Sequence, residues 1–472
     1  MKARLLKRWD DLRSSYWFIP TLMSLAAIGL SFVTTAIDGH LGPDWIQRLD
    51  WLYGNRPDGA RSLLSTVAGS MLGVAGVTFS VTIASVVYAS GQYGPRLLTN
   101  FMQDTGNQVT LGTFIATFLY CLLVLRTVRS AGEATGDGPA GEIVGAFVPH
   151  VAVLTGLGLA LASTAILIYF IHHTPESIHV SNVIAGIGQQ LERRVETLFP
   201  ERIGHGPAQG DASGDASESL PEDFFDEAVA VEAPATGYVQ SLDTDAILTI
   251  ACKHDLIFRL TYRPGDFVSR DEPLLLAWPA DRVGAEVREQ VQRSFAWGPH
   301  RTALQDVRFL IDELVEIAAR ALSPGVNDPF TAVSCMDWLG SALKRVAQRD
   351  IPSPERRDAE GTLRVLAEPT TFAEFCGLCF DQLRPYAAAD RNAALHMLKV
   401  LGEVSGRTSD PERRAVLRAQ ADRLLSSVED ALSTEADQAL FRERYRVIAG
   451  LLSNDAAYDA VVAEHDWLGG TA

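Results

Sequence analysis

The stretch VTFSVTIASVVYASGQYGPRLL, Val77 to Leu98, decides how the chain reads. It is apolar enough for lipid, yet it carries Thr78, Ser80, Thr82 and Ser85 and then breaks at Gly94, Pro95 and Arg96. It closes a run without Asp, Glu, Lys or Arg that begins at Ser62, and three more such runs extend from Ser14 to Ala36, Thr105 to Leu125 and Ile143 to Pro175. A helix needs about 20 apolar residues to cross a hydrocarbon core of about 30 Å. Residues 1–175 are therefore expected to form four transmembrane helices.

Within the second run, the helical repeat places Gly69, Gly73, Gly76, Ser80 and Ala84 on one edge, a small-residue stripe of the kind used in close helix packing. The opposite edge collects Thr78, Thr82, Ser85, Ala89 and Gln92, and Thr110, Thr113, Thr117 and Tyr120 make a second hydroxyl stripe in the third run. Such stripes either line an aqueous path or hydrogen-bond to one another and to their own backbone. Thr78, Thr82, Ser85, Gln92, Thr110, Thr113 and Thr117 are the candidate pore-lining residues. If residues 62–95 are wholly helical they overshoot the hydrocarbon thickness by about 20 Å. Gly91, Gly94 and Pro95 are poor helix formers where the chain should leave the bilayer, followed by the cation of Arg96. They form either a hinge or gate, or a plain helix stop.

The whole chain of 472 residues is 21% charged with a net charge of −17, and outside these runs it reads as ordinary polar protein. That acidity argues against a nucleic-acid partner. Five cysteines without a paired framework suit a reducing compartment. Lys2, Arg4, Lys7, Arg8, Arg13, Arg96, Arg193, Arg194 and Arg202 outnumber the basic residues of the alternate loops, Arg48, Arg56, Arg61, Arg126 and Arg129. The positive-inside bias then puts both termini in the cytoplasm. Proton-coupled carriers and voltage sensors use charges inside the membrane, and none is apparent in the four runs. No Ser-His-Asp constellation, P-loop, dinucleotide fingerprint or zincin motif occurs, so no enzymatic activity, cofactor or metal site is expected. His150, His172 and His173 are given structural roles, and Cys376 and Cys379 have redox spacing without the strand such a site needs.

After His172-His173-Thr174-Pro175, where a helix stop is expected, residues 176–203 carry Val180, Val183, Ile184, Ile187, Leu191 and Val195 at helical steps. They form an amphipathic juxtamembrane helix. Residues 204–232, rich in Gly, Asp, Ser, Ala and Glu, read as an acidic flexible linker. In residues 233–280 the segments GYVQSLD, AILTIACK, LIFRLTY and PLLLAW, with turn signals between, predict a small β-barrel. This segment looks like a biotinyl/lipoyl-type barrel, although Lys253, the lysine it contains, lacks the flanking Met residues of a carrier site. Residues 281–472 read as a helical bundle. In ALSPGVNDPFTA, Asp328 can cap a helix with Pro329 at its first position. Asn327, Asp328 and Thr331, faced by Arg301, Gln305 and Asp306, are the candidate ligand or subunit contact.

The block FSVTIASVVYASGQYGPRLLTNFMQDTGNQVTLGTFIATFLYCLLVL, followed by RALSPGVNDPFTA, resembles the bacterial predicted-membrane-protein family catalogued as domain of unknown function 2254. The likeness covers most of the chain. It implies a multi-pass protein of the bacterial inner membrane with a cytosolic C-terminal half, and brings no activity or catalytic residues with it. Two functions follow as expectations. The first is a homo-oligomeric channel or transport-type protein that passes small ions through the stripes and gates with its cytosolic part. The alternative is a membrane-anchored sensory or scaffold protein that binds a ligand or partner through its cytosolic half.

Overall fold

The protein is described here by a computed structural model covering residues 15–41, 57–94, 104–130, 147–198, 219–453 and 458–468. It divides into two compact units, one of residues 10–179 and one built from residue 180 onward. Four helices are long and apolar enough to cross a bilayer: α1 (Phe18–Leu41), α2 (Pro57–Tyr93), α3 (Thr105–Leu125) and α4 (His150–Ile178).

In this first unit α3 packs against the other three helices. It is the central one, since 56% of its most apolar window is buried against 22% in each of the others. Its Gly112 lets α1 approach so closely that a Cβ there would lie 2.7 Å from Met23 Sδ. Polar ties close both ends of the unit. The Asp38 carboxylate, at the end of α1, accepts from the amides of Val151 and Ala152 at 2.8 and 2.9 Å, satisfying the exposed donors at the start of α4. At the other end Asp104 accepts from the Gly106 amide that opens α3 and lies 2.8 Å from His173 Nε2, whose ring stacks on Tyr169.

The helix α2 runs unbroken for 37 residues, about 55 Å at 1.5 Å per residue. Gly91 lies inside it, and Gly94, with φ +119, ends it in a conformation that favours glycine. Pro95, Arg96 and the Gln92 side chain lie outside the described residues. The stop expected at Pro175 comes later: α4 carries through this proline to Ile178, and His179 alone is extended before α5 (Val180–Leu198) begins.

The second unit starts with α5, whose Ile184, Ile187, Leu191 and Val195 are buried. The stripe that suggested a juxtamembrane position packs on α9 (Val307–Ala321) and α10 (Pro329–Ala347) of the same unit. Gly188 makes room for the Trp338 ring, which a Cβ would approach to 2.2 Å. Arg345 pairs with Glu192 at 3.1 Å and also with Glu196. Of the expected acidic linker, residues 204–218 lie outside the described residues, and from Ser219 onward the segment is built into the fold. Leu220 and Phe224, the latter in the short α6 (Phe224–Glu227), are buried against Leu363 and Leu366.

The β region does not close into the expected barrel. AILTIACK, read as a strand, lies in the helix α7 (Thr244–His254), capped by the Asp243 side chain on the Ala246 amide and ended by Asp255 in the left-handed region. The strands β1 (Val229–Glu232), β2 (Gly237–Leu242), β3 (Ile257–Leu260), β4 (Phe267–Val268), β5 (Pro273–Trp278), β6 (Phe295–Gly298), β7 (Glu355–Arg357) and β8 (Leu363–Leu366) form two sheets. One has the order β1-β5-β3-β8-β7 and the other β4-β2-β6. A helix between β2 and β3 sends those strands to different sheets, and both sheets take strands from beyond residue 280. Lys253 sits in the last turn of α7, not in a hairpin.

The remaining helices are α8 (Ala285–Ser294), α11 (Phe372–Phe380), α12 (Arg384–Ala389), α13 (Arg391–Ser405), α14 (Pro411–Ala431), α15 (Glu435–Leu452) and α16 (Tyr458–Glu464). Among them α13 packs on α10, α14 and α15. Cys376 and Cys379 are buried in this core. Burial pushes the Cys379 thiol up to about 12 and raises that of Cys376, so both stay protonated at neutral pH.

Candidate functional site

The hydroxyl stripes face inward within the subunit. Thr78, Thr82, Thr110, Thr113 and Thr117 are all buried. Thr82 donates to the Thr78 carbonyl at 3.0 Å, Thr110 to Gly106 at 2.8 Å and Thr113 to Val109 at 2.9 Å, each one turn back along its own helix. The Thr117 and Ser163 hydroxyls share a bond at 3.0 Å, and Ser163 also reaches the Leu159 carbonyl. Tyr120 donates to the Ala152 carbonyl and meets Thr34, both near the Asp38 cap. Ser85 is half-buried in a shallow depression beside Ala84, Tyr88 and Pro175.

Conversely, Gly69, Gly73, Gly76, Ser80 and Ala84 lie on the exposed side of α2, together with Leu72, Val77 and Phe79. A Cβ built at Gly69, Gly73 or Gly76 would meet nothing within 4 Å. Within the subunit the hydroxyl edge is thus the buried one, bonded to its own backbone, and the small-residue edge is left exposed. Helical geometry separates the edges but does not say which faces the neighbouring helices.

In the second unit the six candidate contact residues divide into two groups at opposite ends of α9, about 22 Å apart for its 15 residues. At the C-terminal end, Asp328 caps α10 by accepting from the Thr331 amide at 3.2 Å and its hydroxyl at 2.6 Å. Asn327 takes φ +51 and is exposed, and the neighbouring Phe330 ring is 79% exposed. This group is a helix-helix turn with an apolar tip.

At the N-terminal end, Arg301, Gln305 and Asp306 belong to a charged junction. Asp306, whose side chain is 1% exposed, caps α9 by accepting from the Arg308 amide at 3.1 Å. The same carboxylate takes Arg301 Nη2 at 2.7 Å and Arg308 Nε at 3.2 Å. Arg301 continues to Asp312 at 2.5 Å, and Arg308 to Asp266 at 2.8 Å and the Pro264 carbonyl at 2.7 Å. Burial works against the Arg301 charge, but Asp306 and Asp312 outweigh it and hold its pKa above the ordinary value. Gln305 pins β2 by bonding both backbone groups of Leu242, at 2.8 and 3.1 Å. Gly265, with φ +96, lets its turn lie on Asp306, where a Cβ would come within 2.0 Å of a carboxylate oxygen.

Beside this junction lies a cavity of about 790 Å³. Its wall combines the apolar Ile247, Leu248, Leu260, Val365 and Ala367 with Arg259, Arg263, Arg308 and Arg356, and with Asp245, Asp266, Asp306 and Glu368. Pockets of about 300–1,000 Å³ with an apolar lining and a few convergent polar groups are the usual form of a small-molecule site. Arg308, Asp266, Asp312, Arg263 and Arg356 were not singled out in the sequence. They come from loops and strands far apart in the chain, and no local pattern marks them: β7 does not alternate, and Arg356 is itself exposed while bordering the cavity. Among the described residues no group of three His, Cys, Asp or Glu side chains is placed to hold a metal ion.

The model of the family described as predicted membrane protein (DUF2254) matches residues 13–403. Uncharacterized proteins of Mycobacterium bovis and Mycobacterium tuberculosis (strain H37Rv) are each 32% identical over 435 residues, covering 91% of this chain and 79% of their own length. No solved structure matches the chain.

Proposed function

We propose that this protein, which belongs to the DUF2254 family of predicted membrane proteins, is a membrane-anchored sensory or scaffold protein whose C-terminal unit binds a small ligand. The observation that carries this reading is the cavity of about 790 Å³ set against the Arg301, Asp306 and Arg308 junction. The role is binding, not catalysis, and the four helices serve as anchor. In support, the hydroxyls of Thr82, Thr110 and Thr113 are spent on backbone carbonyls of their own helices. A path between subunits lined by α2 would face its exposed side, where Leu72, Val77, Phe79, Val81, Ile83 and Val87 stand beside Ser70 and Ser80.

The test is ion flux through full-length protein in sealed liposomes, under potassium, sodium and chloride gradients in turn. The proposal expects no flux above protein-free liposomes. Flux that Thr82→Leu alters would replace it with the channel. The proposed orientation, in the bacterial inner membrane with both termini cytoplasmic, has its own probe. Of the cysteines only Cys252 is exposed, so a membrane-impermeant maleimide applied to spheroplasts should label it only after permeabilisation. We also propose a homo-oligomer, joined through the exposed Gly69, Gly73 and Gly76 edge of α2. Gly76→Ile should lower the mass of the detergent-solubilised particle, and an unchanged mass would rule this edge out.

A further inference from the structure

We propose that the cavity takes an organic anion, a carboxylate or phosphate monoester with an apolar body, and that Arg356 holds its charged head. This rests on reading the cavity as a ligand site. The argument starts from register. Arg356 on the edge strand β7 pairs with Val365 on β8, and Val365 pairs with Phe258 on β3. Paired residues share a face and alternate residues return to it, so Arg356, Val365 and Leu260 all look to the side where the cavity lies.

Charge then divides the wall. Arg308 is fully engaged by Asp306, Asp266 and Pro264, and Arg263 by Glu374 and Thr370. Arg259 lies 3.6 Å from Glu368 and sits over the Phe225 ring. Of the wall's carboxylates, Asp266 and Asp306 are held by Arg308, Glu368 neighbours Arg259, and Asp245 is exposed in the first turn of α7. Arg356 differs from the other three cations. Its Nη1 donates to the carbonyls of Ser353 and Glu355, at 2.9 Å to the latter, and it has no carboxylate partner among the described residues. Nη2 and Nε remain available, in a guanidinium held by its own loop and bordering the cavity. Two adjacent N–H donors of a guanidinium match a carboxylate or phosphate edge. Ile247, Leu248, Leu260 and Ala367 supply apolar wall for the remainder of such a ligand.

The experiment compares octanoate, octyl phosphate and octanol as probes, binding to full-length protein in neutral detergent and followed by calorimetry. The two anions should bind the wild type roughly tenfold or more tightly than octanol, the scale of one charge-assisted contact. Arg356→Gln should bring both down to the octanol level, and Arg356→Lys should restore part of the difference. Ala367→Phe, which fills the cavity, should block all three, with Leu248→Phe as the second choice if that variant fails to fold. Octanol binding as tightly as octanoate, or octanoate unaffected by Arg356→Gln, would overturn the anion assignment and leave the cavity a ligand site. Absence of binding by every probe, or binding that survives a folded cavity-filling variant, would remove the ligand reading along with it.

Discussion

The two units of the chain spend their polar side chains differently. In the membrane unit most hydroxyls reach back one turn to a carbonyl of their own helix, and the longer ties gather at helix ends, at Asp38 and Asp104. In the C-terminal unit charged groups reach across the chain, as Arg308 does to Asp266 and Pro264, and Arg364 to Asp255. A hydroxyl bonded to its own helix can be moved into lipid or into a protein interface at little cost, because its polar atom is already satisfied. A cross-chain ion pair fixes where two distant segments lie, and its loss is felt by both. The C-terminal unit is thus fixed by ties between distant segments, the membrane unit largely by ties within each helix.

Five substitutions can break or sharpen that contrast, and thiol protection reads each unit separately: Cys121 is buried in the first, Cys376 and Cys379 in the second. The largest effect is expected for Asp306→Ala, which leaves Arg301 and Arg308 without their shared carboxylate and uncaps α9. Removing one partner of a buried pair costs about 3–5 kcal/mol, so Cys379 should label much faster while Cys121 does not change. Gly188→Leu drives a side chain into Trp338 and should cost about 1–3 kcal/mol. It should be read at Cys335 and Cys376, with Cys121 again unaffected. Asp38→Ala removes the acceptor for two amides of α4 and should cost about 1 kcal/mol. Here Cys121 should respond and Cys379 should not.

Thr117→Val breaks the bond to Ser163 and should cost about 0.6 kcal/mol. A loss several times larger, measured by denaturant titration, would mean that the hydroxyl stripes are not spent locally and would undo the contrast. The smallest effect is a pH slope. Hydrogen bonds from Arg364 hold the carboxyls of Asp358 and Asp255 below their ordinary value. Folded pKa values that are lowered contribute stability above the ordinary carboxylate value of about 3.8, lost as pH falls through the lowered ones. Acid titration of Arg364→Gln should therefore show a flatter loss of stability below about pH 4 than the wild type.

Some of this organisation is legible in the residues alone. Four uncharged runs of spanning length give the four helices, and α9 and the Asp328 cap follow from apolar spacing and from Asp-Pro at a helix start. What the residues could not convey is direction. AILTIACK is short and mostly apolar, so its period does not separate strand from helix, whereas the structure has a helix there, capped by Asp243. Likewise the two edges of α2 are legible in its spacing, but not which of them the subunit buries, because a hydroxyl bonded to its own backbone is as easily buried as Ala. At the site, Arg301, Gln305 and Asp306 stood close together in the chain, whereas Asp266 and Arg356 reach the junction and cavity only through the folding of distant strands.

His179 is a single extended residue between two helices. The helix after it is held to α9 and α10 by Trp338 seated over Gly188 and by Arg345 on Glu192 and Glu196. One residue offers two soft torsions and no slack. Inserting flexible glycines after His179 would add length there while leaving the contacts of Gly188, Trp338 and Arg345 in place.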